Sequence, residues 1–358
     1  MASWQLFNCK NLSTFIGTIV QILPFKGASL SRFYICEYKG NRFLTKLCFY
    51  RKTGPELYGI VDSRVISHTD AEINILRILK TRIIDANLTP CILELVYHKI
   101  CEITPLVPSQ KRCDRLMRDY NDQLPEDDVA QLICKYKDLV VNDLAHNKCA
   151  FLVLEKCDVS LNEYLQKLNT PIGIIIFESI LFQVIYTVYI IQRIYPRFRH
   201  YDLHTDNIML KFDFSYKFQS DRPQFLRYII DGTSYYIPYF GIIPKIIDFG
   251  YSSLPEEGIM SNAINDKSIM YHRSNNDLLF LFHWIYATLS VTGGDKLGYV
   301  DDLLSALEPT RSYIHFYTEF IRKNEDTIPT YEDMIKNKVF FHYKNNSVLD
   351  KDILKSYG

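Results

Sequence analysis

The sequence has no excess charge of either sign. Its 41 Lys and Arg balance 41 Asp and Glu, so no net field draws the chain toward nucleic acid or an acidic membrane. None of its nine cysteines lies two residues from another, which excludes a zinc ribbon or a Cys-x-x-Cys redox motif. Reduced thiols in an intracellular, cytoplasmic setting are the corresponding expectation. The opening stretch MASWQLFNCKNLS lacks a basic region followed by an uninterrupted apolar run, so no secretory signal is expected. Internal repeats and low-complexity tracts are absent, and so are a Walker A phosphate loop, a dinucleotide-binding fingerprint and a Ser-His-Asp arrangement.

What is there is a chain of 358 residues, 47% hydrophobic and 23% charged. That length suits two packed lobes better than one minimal domain, and that balance suits a globular core. The most apolar segment, Ile172 to Tyr195, is interrupted by Glu178, Gln183, Gln192 and Arg193. Polar groups are costly in a bilayer, so the pattern predicts the central helix of a large lobe and no membrane span.

Alternating residues predict a β-meander through Ile19–Leu23, Arg32–Tyr38 and Asn41–Tyr50, with Lys39-Gly40-Asn41 as a hairpin turn. Thr69 or Asp70 is placed to cap a helix through AEINILRILK. A further strand pair is expected at Cys91–Val96 and Lys99–Ile103, and the polar stretch at about 105–128 reads as an inserted loop or short helix. CAFLVLEK reads as a buried strand, and Ser160 as the cap of a helix carrying Glu163 in the capping-box position. The resulting expectation is an α+β protein with a β-rich lobe over 1–157 and a mainly helical lobe over 158–358.

Two motifs carry the chemistry. HYDLHTDN, His200 to Asn207, follows the long apolar helix and precedes a strand-like run. In phosphoryl transfer an Asp orients the attacking hydroxyl while an amide oxygen five residues later reaches a metal, and Asp202 and Asn207 have that spacing. KIIDFG, Lys245 to Gly250, delivers the carboxylate of Asp248 at the end of a buried strand, and Mg²⁺ takes such oxygen ligands beside phosphate oxygens.

These motifs, in this order, resemble the HRD-x-x-x-x-N catalytic loop and the DFG of the eukaryotic protein kinase superfamily. The resemblance implies a bilobal kinase fold that uses ATP and Mg²⁺ to phosphorylate Ser or Thr of a protein. It implies Asp202 as catalytic base, Asn207 and Asp248 as metal ligands, and His200 as a residue supporting the loop. Lys46 resembles the lysine that contacts the α- and β-phosphates, and Glu72 the glutamate that pairs with it. Gly27, Ala28 and Ser29 stand where a phosphate-covering loop would lie, and backbone groups of Glu155 and Cys157 where the adenine would meet the hinge. Asp277 resembles the aspartate that braces the catalytic loop.

A finer likeness, to haspin-type kinases and kinase-like proteins of large DNA viruses, rests on His204 and on the segment between the two motifs, with a hairpin at Asp231-Gly232. For a viral protein the implied location is host cytoplasm or virion. The likeness follows most of the chain, with its specific motifs at about 27–46 and 151–254. The expected partner is a protein substrate carrying Ser or Thr, with no nucleic acid evident, no membrane span and a monomeric state.

The pattern departs from the family at three places. FKGASLSRFY keeps only Gly27 of a G-x-G-x-x-G loop, which leaves a pseudokinase scaffold as an alternative. Tyr201 replaces the Arg of HRD, so activity is expected without phosphorylation of the segment between Tyr251 and Asn276. No APE motif follows, and His204 also occurs in aminoglycoside-type phosphotransferases, so a small-molecule acceptor is the other alternative.

Overall fold

The computed structural model describes residues 8–10, 12–24, 31–52, 66–118, 124–168, 170–218, 223–261, 276–292, 296–314, 329–344 and 347–358. Gly27, Ala28, Ser29 and most of the segment from Tyr251 to Asn276 lie outside them. Two compact units are present: Met1–Ile73 with Glu94–Lys156, and Asn74–Leu93 with Cys157–Gly358. The first is β-sheet-rich and the second helix-rich, the composition of a bilobal α+β protein-kinase-like fold.

The first unit holds α1 (Ser13–Ile16), β1 (Ile19–Ile22), β2 (Arg32–Tyr38), β3 (Asn41–Arg51), the start of α2 (His68–Leu79), β4 (Leu95–Glu102), α3 (Gln110–Arg118), α4 (Pro125–Val141) and β5 (Ala145–Glu155). Its five strands form an antiparallel sheet ordered β1-β2-β3-β5-β4. The β2–β3 hairpin turns where the sequence predicts, with Lys39 and Gly40 at φ 51° and 75°, the paired positive angles of a type I′ turn. One core gathers Phe15, Tyr34, Leu47, Phe49, Val129, Ile133, Tyr136 and Phe151, all buried, and the Phe49 and Tyr136 rings stack at 3.6 Å. Arg32 and Tyr34 on β2 both hold the buried Asp128 of α4, through bonds of 2.8, 3.1 and 2.7 Å.

Three expectations are corrected here, and the loop or short helix expected at 105–128 is extended. The strand pair expected at 91–103 is a single strand, β4, which pairs with β5. Val96 to Lys99 contains no turn-forming residue, and Cys91–Leu93 instead exchanges backbone hydrogen bonds with Ile246 at 2.9 and 3.0 Å. The polar stretch at 105–128 contains α3 and the first turn of the 17-residue α4. The α2 cap is Ser67, whose hydroxyl accepts from the Asp70 N–H at 3.0 Å. Finally, four of the cysteines are disulfide-bonded: Cys9 to Cys101 and Cys113 to Cys134, 92 and 21 residues apart. Spacing cannot reveal pairings that the turn at 8–10, β4, α3 and α4 create by packing.

The second unit holds β6 (Val159–Ser160), α5 (Leu161–Gln166), α6 (Pro171–Ile194), β7 (Ile208–Phe212), β8 (Phe225–Ile230), β9 (Thr233–Pro238), β10 (Ile242–Ile246), β11 (Ser253–Leu254), β12 (Ile259–Met260), α7 (Asn276–Thr292), α8 (Lys296–Leu307), α9 (Tyr331–Ile335) and β13 (Ile353–Tyr357). Helix α6 is long and apolar enough to cross a membrane, but 83% of its most apolar window is buried inside the protein. It is a core helix. Its Glu178 pairs with His342 at 3.0 Å and accepts from the Tyr299 hydroxyl, and its Phe182 packs against Tyr228 and Phe340.

The β8–β9 hairpin turns at Asp231 and Gly232, at φ 47° and 79°, and β13 adds to β8 as a parallel third strand. β7 and β10 pair antiparallel with Ile208 opposite Ile246. That register brings the ends of the two sequence motifs together.

Candidate active site

In the first unit, Lys46 lies mid-way along β3, with Phe33 of β2 and Leu152 of β5 as its strand partners. Its side chain is buried, and its ammonium meets the buried Glu72 carboxylate of α2 at 2.8 Å. The helix is held for that encounter at its first turn. Asp70 accepts from the Tyr50 hydroxyl at 2.7 Å and the Ser67 hydroxyl at 2.8 Å, and Lys148 approaches it at 3.5 Å. Burial, with the Asp70 carboxylate beside it, pushes the Tyr50 hydroxyl pKa far up and keeps it a donor. Glu155 ends β5; its N–H donates to the Glu94 carbonyl at 3.0 Å and its carboxylate accepts from the Glu94 N–H at 2.8 Å.

In the second unit the loop His200–Asn207 is tied down from three sides. Asp277, buried at the start of α7, accepts from the N–H of His200 at 2.8 Å and of Tyr201 at 2.9 Å. These bonds hold Tyr201 at φ 64°, a left-handed conformation costly for a bulky residue and kept only where its surroundings impose it. Burial raises the Asp277 pKa, against the bonds that favour its charge. His200 is buried against Phe249 and bonds the Ile247 carbonyl through Nε2 at 2.9 Å, while its Nδ1 accepts from the Asp202 N–H. Asp206 accepts from Ser160 and from Asn162, which in turn accepts from Thr288 on α7.

The chemistry-bearing groups follow from this frame. Asn207 Nδ2 donates to the Asp202 carbonyl at 2.8 Å and to its Oδ2 at 3.0 Å. The Asn207 carbonyl accepts from the Ile247 N–H at 3.0 Å, so Asp248, two residues past the end of β10, lies beside the end of the His200–Asn207 loop. It does so at φ 59° and ψ 63°, a region that Asp visits more readily than most residues. His204 Nε2 stands 3.7 Å from Asp202 Oδ2. Burial lowers the His204 pKa, but the Asp202 carboxylate, helped by Asp206 and Asp248, outweighs it and raises the value.

A Mg²⁺ ion fits this donor set. The amide nitrogen of Asn207 is committed to Asp202, so its oxygen is the end left to pair with the Asp248 carboxylate. Two protein oxygens are what Mg²⁺ takes when phosphates and water complete its shell. No cluster of three or more His, Cys, Asp or Glu suited to a metal occurs among the described residues, so a cage made by the protein alone is not the pattern here.

Lys46 and Glu72 are thus brought together within one unit, and Asp202, Asn207 and Asp248 within the other. Sequence reasoning missed Asn162 and Thr288, because a polar residue on a helix carries no sign of the loop it will meet; it read Ser160 as the cap of α5, which it is, but not its bond to Asp206. Asp277→Asn should destabilise the protein by about 1–3 kcal/mol in chemical denaturation, since an amide cannot accept at both ends and one buried N–H loses its partner. An unchanged denaturation midpoint would show that the loop does not depend on this anchor.

No protein-family model matches the chain. Two proteins of Acanthamoeba polyphaga mimivirus, both provisionally named serine/threonine-protein kinases, are similar to it. One is 31% identical over 162 residues, 40% of either chain; the other is 22% identical over 382 residues, spanning 97% of this chain and 76% of the relative. A Dictyostelium discoideum protein with the same provisional name is 35% identical over 126 residues, a third of this chain and a tenth of the relative. Fold and similarity together support the protein kinase superfamily and a kinase-like function.

Proposed function

We propose that the protein is an ATP- and Mg²⁺-dependent serine/threonine protein kinase. The observation that carries this reading is the joining of the two motifs: Asn207 holds the Asp202 carboxylate, and its own carbonyl accepts from the N–H of Ile247, the neighbour of Asp248. Asp202 takes the proton of the acceptor hydroxyl as its oxygen bonds to the γ-phosphorus, and the bond to the β-phosphate oxygen breaks to leave ADP. Lys46, paired with Glu72 at 2.8 Å, takes the part of the lysine that contacts the α- and β-phosphates. Glu155 and Cys157 offer backbone groups to an adenine; Gly27, Ala28 and Ser29, assigned to the phosphates by the sequence resemblance alone, lie outside the described residues. Mg²⁺, when bound by Asn207 and Asp248, neutralises charge on the phosphate oxygens. The haspin-like and viral resemblance is supported by His204 and by the β8–β9 hairpin between the motifs.

The test is incubation with γ-labelled ATP and Mg²⁺, offering a panel of proteins and a panel of small hydroxyl compounds. Label on protein Ser or Thr is the expected result. Label on sugars or aminoglycosides alone would replace this reading with a small-molecule kinase, and no label with intact nucleotide binding would replace it with a pseudokinase.

A further inference from the structure

His204 has two ring nitrogens with different neighbours. Nδ1 accepts the backbone N–H of Asp206 at 3.2 Å, so that nitrogen carries no hydrogen and the other one does. Nε2 is the nitrogen that faces Asp202 Oδ2, at 3.7 Å. The ring's place is fixed from behind by two aromatic residues of α7: Phe280 meets it edge-on, 6.4 Å between centroids, and Trp284 lies 5.9 Å away.

We infer that His204 is a positioning residue that steers the Asp202 carboxylate through its Nε2–H, an inference that rests on the phosphotransfer reading above. Asn207 Nδ2 meets the same oxygen, Oδ2, at 3.0 Å. With Asn207 already bonded there, the Nε2–H brought onto the same oxygen stops the group from rotating and leaves Oδ1 to receive the acceptor's proton. A separation of 3.7 Å is too long for a direct hydrogen bond. Such contacts in free enzymes commonly shorten when reactants bind. The aromatic support from α7 keeps the ring from swinging away meanwhile.

A role confined to capping Asp206 makes the opposite predictions for two substitutions. Asn places an acceptor near the Nδ1 position but does not reach Asp202; Gln places an amide N–H near the Nε2 position but gives up the cap. His204→Asn should lower kcat about 10–10²-fold, as a misaligned reacting group does, with KM for ATP and thermal stability unchanged. His204→Gln should restore most of kcat. Full kcat in His204→Asn together with loss in His204→Gln would overturn the inference in favour of the cap.

A second readout needs no turnover. ¹⁵N NMR of the histidine ring should find hydrogen on Nε2, and the Nε2 resonance should move in Asp202→Asn. Hydrogen on Nδ1 alone, or an unmoved resonance, would overturn the inference. A wild-type protein that transfers no phosphate would instead sink the phosphotransfer reading, and the resonances would still decide whether His204 faces Asp202.

Discussion

Asp202→Ala should lower phosphate transfer by about 10²–10⁴-fold, the range over which a positioned general base contributes, while Mg·ATP still binds. The reason lies in how the loop is held. Removing the carboxylate takes one of the two acceptors from Asn207 Nδ2, but the backbone carbonyl of residue 202, at 2.8 Å, remains. The bonds from Asp277 to the His200 and Tyr201 N–H groups are untouched. The loop therefore keeps its course and only the base is lost. Asp202→Asn, which retains an acceptor for Asn207, should be as inactive and unfold at the wild-type temperature. Transfer at the wild-type rate in either variant would remove Asp202 from the chemistry.

The other large effect is expected where no reacting bond lies. The Lys46–Glu72 pair is nearly without solvent, with side chains 4% and 2% exposed. Each charge taken from water carries a desolvation cost that its partner offsets, so removing one member leaves the other stranded. Lys46→Met and Glu72→Leu should each cost about 3–5 kcal/mol, whereas the double variant, with two apolar groups in that space, should recover most of the loss. Activity should not recover with stability, since no cation remains at that place for the phosphates. A chemical-denaturation cycle with transfer rates measured in parallel separates the two roles. Additive single losses would show that the pair is not coupled, and a double variant with normal transfer would end the assignment of Lys46.

Much of this was legible along the chain because it is local. The β2–β3 and β8–β9 hairpins were marked by Lys39-Gly40 and Asp231-Gly232, residues chosen for positive φ, and α6 by the largely apolar run from Ile172 to Tyr195. HYDLHTDN and KIIDFG were visible because the spacing of residues within one short segment is fixed along the chain. Helix α4 escaped notice, since its charged first turn, Glu126 to Asp128, continued the polar stretch before it. So did the buried use of one of those charges, Asp128, by Arg32 and Tyr34 nearly a hundred residues upstream.

What the sequence alone determined is the spacing of residues within the two motifs, together with the turns and helix faces around them. Which groups meet was decided only by tertiary packing: Lys46 with Glu72, Asp277 with the backbone of His200 and Tyr201, and Cys113 with Cys134. The division has a physical cause. Turn angles and side-chain periodicity act over a few residues, whereas a buried charge, donor or thiol takes its partner from whatever chain the core's packing places beside it.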